Sequence, residues 1–115
     1  METTSERGAS AEDRAAAALM AAGYSIVARN WSCDTGELDL VARERDVLVF
    51  VEVRSRVDDA HGRAAQMVSV GKQKKVTRVA GMYLMLERPR FQQARFDVVA
   101  VTGESVEIIR DAWRL

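Results

Sequence analysis

Residues 47–51 read Val-Leu-Val-Phe-Val, apolar at every position, and Glu52, Val53 and Arg54 follow directly. Side chains alternate across a strand, so a run that is apolar on both faces marks a central strand covered on both sides. Such a strand needs partner strands at its edges and a covering layer above and below. That requirement excludes a lone hairpin and a sheet with one wet face.

The rest of the chain can meet it. Ser10 and Asp13 resemble a capping box, and the alanine-rich stretch to Ala22 reads as a helix closed by Gly23. Its apolar stripe runs through Ala15, Ala18, Leu19 and Ala22, and Glu12 falls on the same stripe. Strands are predicted over 24–31, 37–43 and 47–54, the last two joined as a hairpin by the polar connection 44–46. Ser69 caps a predicted helix to about Leu86 with a core stripe of Val76, Val79, Ala80 and Tyr83. Two more strands, 96–101 and 106–109, flank a Thr-Gly-Glu-Ser turn. The expected fold class is α/β in the order α-β-β-β-α-β-β, a mixed sheet flanked by helices. We expect one domain over 1–115, with residues 1–8 disordered.

Within the hairpin, Glu37, Asp39 and Val41 alternate with Leu38, Leu40 and Ala42, while Leu48, Phe50, Glu52 and Arg54 share one face of the next strand. A register that keeps Leu38 and Leu40 with the valine face gathers Glu37, Asp39, Glu52 and Arg54 on the other. Two carboxylates about 5 Å apart repel by roughly 3 kcal/mol at an effective dielectric near 20. A proton or a cation must compensate, and convergent oxygens suit a hard divalent ion such as Mg²⁺. Lys72 lies one turn before Val76 and faces inward; Lys74 and Lys75 can face solvent.

Net charge is zero, with 17 basic and 17 acidic residues, yet the charge is unevenly placed. Between Arg54 and Arg78 seven basic residues (Arg54, Arg56, Arg63, Lys72, Lys74, Lys75, Arg78) face only Asp58 and Asp59. This is a polarised surface. One Cys and one His exclude an internal disulfide and the usual four-ligand zinc site. No apolar run approaches the roughly 20 residues of a membrane span. No leader-like segment opens the chain, and a cytoplasmic protein without a membrane partner is expected.

The segments Gly36-Glu37-Leu38-Asp39-Leu40-Val41-Ala42 and Leu48-Val49-Phe50-Val51-Glu52-Val53-Arg54-Ser55-Arg56 resemble the signature of the YraN family of small bacterial proteins. Ala11-Glu12, Gly23-Tyr24, Arg29-Asn30-Trp31, Val68 with Lys72, and Arg95-Phe96-Asp97-Val98-Val99 extend the resemblance over nearly the whole chain. That family is similar to the restriction-endonuclease-like PD-(D/E)xK superfamily and its Holliday junction resolvases. The resemblance implies an αβββαβ core and Mg²⁺- or Mn²⁺-dependent phosphodiester cleavage. Asp39 and Glu52 then match the superfamily's two metal-binding carboxylates, Glu12 its helical glutamate, and Glu37 the Gly-Glu-x-Asp element. Arg54 stands at the lysine position and Gln66 where an acid is expected. Arginine keeps the charge but cannot act as a general base.

Two functions follow as expectations. One is a divalent-metal endonuclease on DNA, including branched DNA, in which Asp39 and Glu52 hold the metal, Glu12 or Glu37 contributes directly or through water, and Arg54 contacts the attacked phosphate; Asp39, Glu52, Arg54 and Glu37 are the catalytic set. Arg54, Arg56, Arg63, Lys72, Lys74 and Lys75 then contact the nucleic acid. The alternative is a catalytically impaired nucleic-acid-binding module of the same fold. Met82, Tyr83 and Leu86 offer a seam for a homodimer, by analogy with resolvases that pair on two-fold junctions.

Overall fold

The computed structural model describes the backbone of residues 4–56 and 68–114, and side chains over 11–55 and 68–114. Arg63, His61 and Gln66 lie outside the described residues, as does the side chain of Arg56. The elements are α1 (Thr4–Ala21), β1 (Ser25–Cys33), β2 (Gly36–Glu44), β3 (Val47–Arg56), α2 (Val70–Glu87), β4 (Gln93–Thr102) and β5 (Ser105–Trp113). This is an α/β fold whose first six elements follow the αβββαβ order. Helix α1 begins at Thr4, before the Ser10 cap expected and within the segment expected to be disordered. Glu6, Arg7 and Ala9 are adequate helix formers, and they carry the helix through Gly8.

The five strands lie in the order β1-β2-β3-β4-β5. β3 and β4 are parallel and the other pairs antiparallel, so the sheet is mixed. Parallel neighbours need a crossover, which α2 provides. Two apolar layers result. On one face α1 packs Ala11, Ala15 and Leu19 against Leu40, Ala42, Val49, Val51 and Val99. On the other, α2 packs Val76, Val79, Ala80 and Tyr83 against Val41, Leu48, Phe50 and Phe96. Leu48, Val49, Phe50 and Val51 are all buried, as a strand covered on both faces requires.

Local signals set the ends of α2. The Ser69 side chain accepts a hydrogen bond from the Lys72 backbone N–H at 3.2 Å, and Arg88 closes the helix in the left-handed conformation. Tyr83 is buried edge-on against Trp31 and Phe50, so it cannot form the expected intersubunit seam; Met85 and Leu86 remain exposed. Trp113 likewise packs in place, stacked on Phe96 at 4.8 Å.

The tip of the β1–β2 hairpin is pressed onto α2. A Cβ at Gly36 would sit 3.1 Å from Val79 Cγ2, and Gly36 has φ +154°. Glycine alone suits both conditions, and it fixes where the next residue, Glu37, begins its strand.

Candidate active site

β2 and β3 pair from Glu44↔Val47 to Leu40↔Val51 and then part. Beyond that point β2 stays with β1 as far as Gly36↔Cys33, while β3 stays with β4 as far as Arg56↔Thr102. The central hairpin therefore opens like a fork, with Glu37 and Asp39 on one prong and Glu52 and Arg54 on the other. Leu38 packs on the α2 side whereas Leu40 packs on the α1 side. Strict alternation fails between them, because β2 is released from its ladder and turns. The simple shared face expected for Glu37, Asp39, Glu52 and Arg54 is replaced by this fork.

Asp39 closes the broken ladder. Its Oδ2 accepts a hydrogen bond from the Val53 backbone N–H at 2.9 Å, satisfying a donor that a continued ladder would have paired. The bond orients the carboxylate without neutralising it. Among the described residues Asp39 makes no ion pair.

Three carboxylates converge here. Glu12 from α1 and Glu37 and Asp39 from β2 each offer an oxygen, and these lie within 4.8 Å of one another. Burial raises the Glu12 carboxyl above the ordinary carboxylate value; the hydrogen bond from the Asn30 side chain opposes this, and the charge of Asp39 reinforces it. Asn30 has φ +52°, a conformation that asparagine tolerates better than most residues.

Glu52 stands on the second prong and outside that triad. It faces α2, is 2% exposed, and lies 3.6 Å (Oε1) from Lys72 Nζ. Burial first, then repulsion from Asp39, pushes its carboxyl up to about 7, against the pull of Lys72 and Arg54. Lys72 faces inward as its position one turn before Val76 indicated, whereas Lys74 and Lys75 are exposed. Arg54 is half-buried, and its Nε is enclosed with no hydrogen-bond partner among the described residues. A buried guanidinium N–H without an acceptor costs about 1–3 kcal/mol, so the group is poised for an anionic oxygen.

A second buried acid, Asp97, serves as a comparison. Asp97 is fully buried and accepts hydrogen bonds from Tyr24 Oη at 2.7 Å, Arg95 Nε at 2.9 Å and the Asp111 backbone N–H at 2.9 Å. It too caps a break in a ladder, the β4–β5 irregularity between Phe96 and Val98. Arg95 also pairs with Glu44, which Arg110 holds as well, and these guanidinium groups draw the Glu44 carboxyl down to about 2. Arg95 is thus committed to internal acids. Asp97 is neutralised by its surroundings, and Asp39 is not.

The donor set at the fork is hard: three carboxylates, with a fourth whose burial favours a proton in the absence of a cation. Three such acids at 4.8 Å repel by about 3 kcal/mol per pair at an effective dielectric of 20. Oxygen donors of this kind fit Mg²⁺ or Mn²⁺.

Comparison with known proteins places these residues in a family. The sequence profile of "Uncharacterised protein family UPF0102" matches residues 11–101, the span from Glu12's helix through β4. A UPF0102 protein of Syntrophus aciditrophicus is 43% identical over 108 residues, covering 90% of this chain and 85% of its own length. One from Methylibium petroleiphilum is 46% identical over 123 residues and covers 98% of both. A third, from Lachnoclostridium phytofermentans, is 40% identical over 107 residues, covering 92% and 91%. The chain belongs to the UPF0102 (YraN) family.

Proposed function

We propose that the protein is a divalent-metal-dependent endonuclease that hydrolyses phosphodiester bonds in DNA, with branched DNA as a candidate substrate. The observation that carries this reading is Asp39: backbone-anchored, unpaired by any described cation, and next to Glu12, Glu37 and Glu52. A structural acid in such company is ordinarily neutralised, as Asp97 is.

Asp39 with Glu12 and Glu37 would hold a Mg²⁺ or Mn²⁺ ion, and Glu52 is the further carboxylate within the electrostatic reach of Asp39. A bound ion supplies a water of lowered pKa and offsets charge on the phosphate. The protein's own groups then have distinct tasks. Asp39 keeps its orientation through the Val53 N–H. Arg54 offers its unsatisfied Nε to a phosphate oxygen, and it holds charge without exchanging protons. Lys72 holds Glu52 in place and contributes positive charge at the same fork. Lys74 and Lys75, exposed on the first turns of α2, are placed to contact the backbone of the nucleic acid.

Arginine at position 54 favours a second reading, a nucleic-acid-binding module that has kept the fork and lost efficient proton transfer. The two part on one experiment. Purified protein is incubated with a four-way junction and with linear duplex in Mg²⁺ or Mn²⁺. The endonuclease reading expects nicking that falls at least about 100-fold in Asp39→Ala, the range lost with an essential catalytic group. Salt-sensitive binding that survives Asp39→Ala, without nicking under either metal, selects the second reading.

We place this activity in the cytoplasm and in a protein able to pair as a homodimer. No helix among the described residues is long and apolar enough to cross a membrane.

A further inference from the structure

We infer that the outer flank of α2 and the end of β5 form a strip that holds the phosphate backbone of duplex nucleic acid without reading its bases. The inference deepens the nuclease reading and rests on it for the identity of the ligand. A hollow of about 430 Å³ lies between these two elements, walled by Val70, Lys74, Thr77, Arg78, Trp113 and Arg114. Three of its lining residues are cations and none is an acid. Lys74 and Arg78 are one helical turn apart, so they lie side by side on the same flank. Both are exposed, and neither makes an ion pair among the described residues. Arg114 is 82% exposed; it pairs with Asp111, a surface contact of the weak kind that a phosphate can displace.

The same helix connects this strip to the fork. Lys72, near the start of α2, turns inward to Glu52, while Lys74 and Arg78 turn outward. A ligand with charges repeated along its length can engage both faces; a small anion cannot. A second hollow, of about 610 Å³, shares Arg114, but its Arg95 and Arg110 are held by Asp97 and Glu44, so the strip ends at Arg114.

Trp113 explains why bases are not read. Its ring is stacked on Phe96, and its indole N–H donates to Thr77 Oγ1 at 3.2 Å. With that face and that donor engaged inside the protein, charge is left as the recognition element.

The test measures binding of a labelled 20-base-pair duplex by fluorescence anisotropy in EDTA, over a series of salt concentrations. The triple variant Lys74→Gln/Arg78→Gln/Arg114→Gln should bind at least 10-fold more weakly. Its log Kd against log salt should be shallower by about 2 to 3, near 0.9 for each phosphate no longer engaged. Lys74→Arg/Arg78→Lys should bind like the wild type, and two unrelated duplex sequences should bind equally. An unchanged affinity and slope in the triple variant would overturn the inference. So would wild-type protein that binds no duplex, or competition by polyglutamate as strong as by unlabelled duplex, which would assign the strip to an acidic protein. Stabilisation by Mn²⁺ should be the same in the triple variant and the wild type. If wild-type protein shows no Mn²⁺ stabilisation or nicking but its duplex binding depends on the strip, the nuclease reading fails and the strip stands. Nicking by a protein whose duplex binding ignores the strip supports the nuclease reading and removes the strip.

Discussion

The carboxylate of Asp39 replaces β2 as the partner of the Val53 backbone N–H, at 2.9 Å, where the central hairpin forks. Asp97 does the same for the Asp111 N–H at the β4–β5 irregularity. The difference between the two acids is their charge balance. Arg95 and Tyr24 tie Asp97 into the core, whereas the Glu12 and Glu37 carboxylates lie within 4.8 Å of that of Asp39. The first arrangement stabilises a fold, and the second holds like charges together, which a proton or a cation can offset.

Removal of Asp97 should therefore be costly to the fold. Asp97→Ala would leave Arg95, Tyr24 Oη and the Asp111 N–H short of their acceptor inside the protein. Loss of one member of a buried ion pair typically costs about 3–5 kcal/mol. Urea unfolding should show a loss in that range, and a loss under about 1 kcal/mol would contradict the structural role given to Asp97.

Glu52 makes stability depend on pH. Its carboxyl titrates near 4.5 when unfolded and at about 7 in the folded protein, so the native state holds the extra proton between those values. Its contribution is fully present below about pH 4.5 and is lost as pH rises through 7. Glu44, drawn down to about 2, acts oppositely, and its contribution is lost as pH falls from 4.5 towards 2. Metal-free protein should be most stable near about pH 5. Between about pH 5 and 8 Glu52→Gln should flatten the decline, which is of order 2–3 kcal/mol in the wild type. Denaturant unfolding at a series of pH values checks this, and parallel curves for the two proteins would refute it.

Arg54 should show opposite effects on stability and on function. Arg54→Met removes an enclosed N–H that has no acceptor among the described residues and keeps an apolar stem of similar length. Stability should stay within about 0.5 kcal/mol of the wild type or rise by up to about 1 kcal/mol. Affinity for duplex in EDTA should fall, and any nicking rate should fall at least about 10-fold. Equal affinity and rate in the two proteins would remove Arg54 from the site.

The elements were largely legible in the sequence because their signals are local. The all-apolar run 47–51 announced a doubly covered strand, and Ser69 announced the start of α2. The stripe of Val76, Val79, Ala80 and Tyr83 is the set of α2 residues that the structure buries. The acids that the structure brings together were legible as candidates: Glu12 falls on an apolar helix stripe, and Glu37 and Asp39 alternate with Leu38 and Leu40, while Glu52 ends an apolar run. Their arrangement was not. Alternation treats a strand as uniform, but β2 leaves β3 after Leu40, which a two-residue period cannot register. The Asp97 network was missed for a related reason. It joins Tyr24, Glu44, Asp97 and Arg110 from four strands or their approaches, and no spacing along the chain connects them.

Binding of Mn²⁺ by the metal-free protein, followed as a shift in thermal unfolding at about pH 8, tests the demand for a cation at the fork most directly. A ligand at roughly 100 times its Kd that binds only the folded state adds about 2.7 kcal/mol. Wild-type protein should be stabilised on that scale, and less so near about pH 6, below the value of about 7 at which Glu52 gives up its proton. Asp39→Asn, which can keep the Val53 hydrogen bond and loses the charge, should show little or no shift. Equal Mn²⁺ shifts in the wild type and Asp39→Asn, or none in either, would contradict a metal centre built around Asp39.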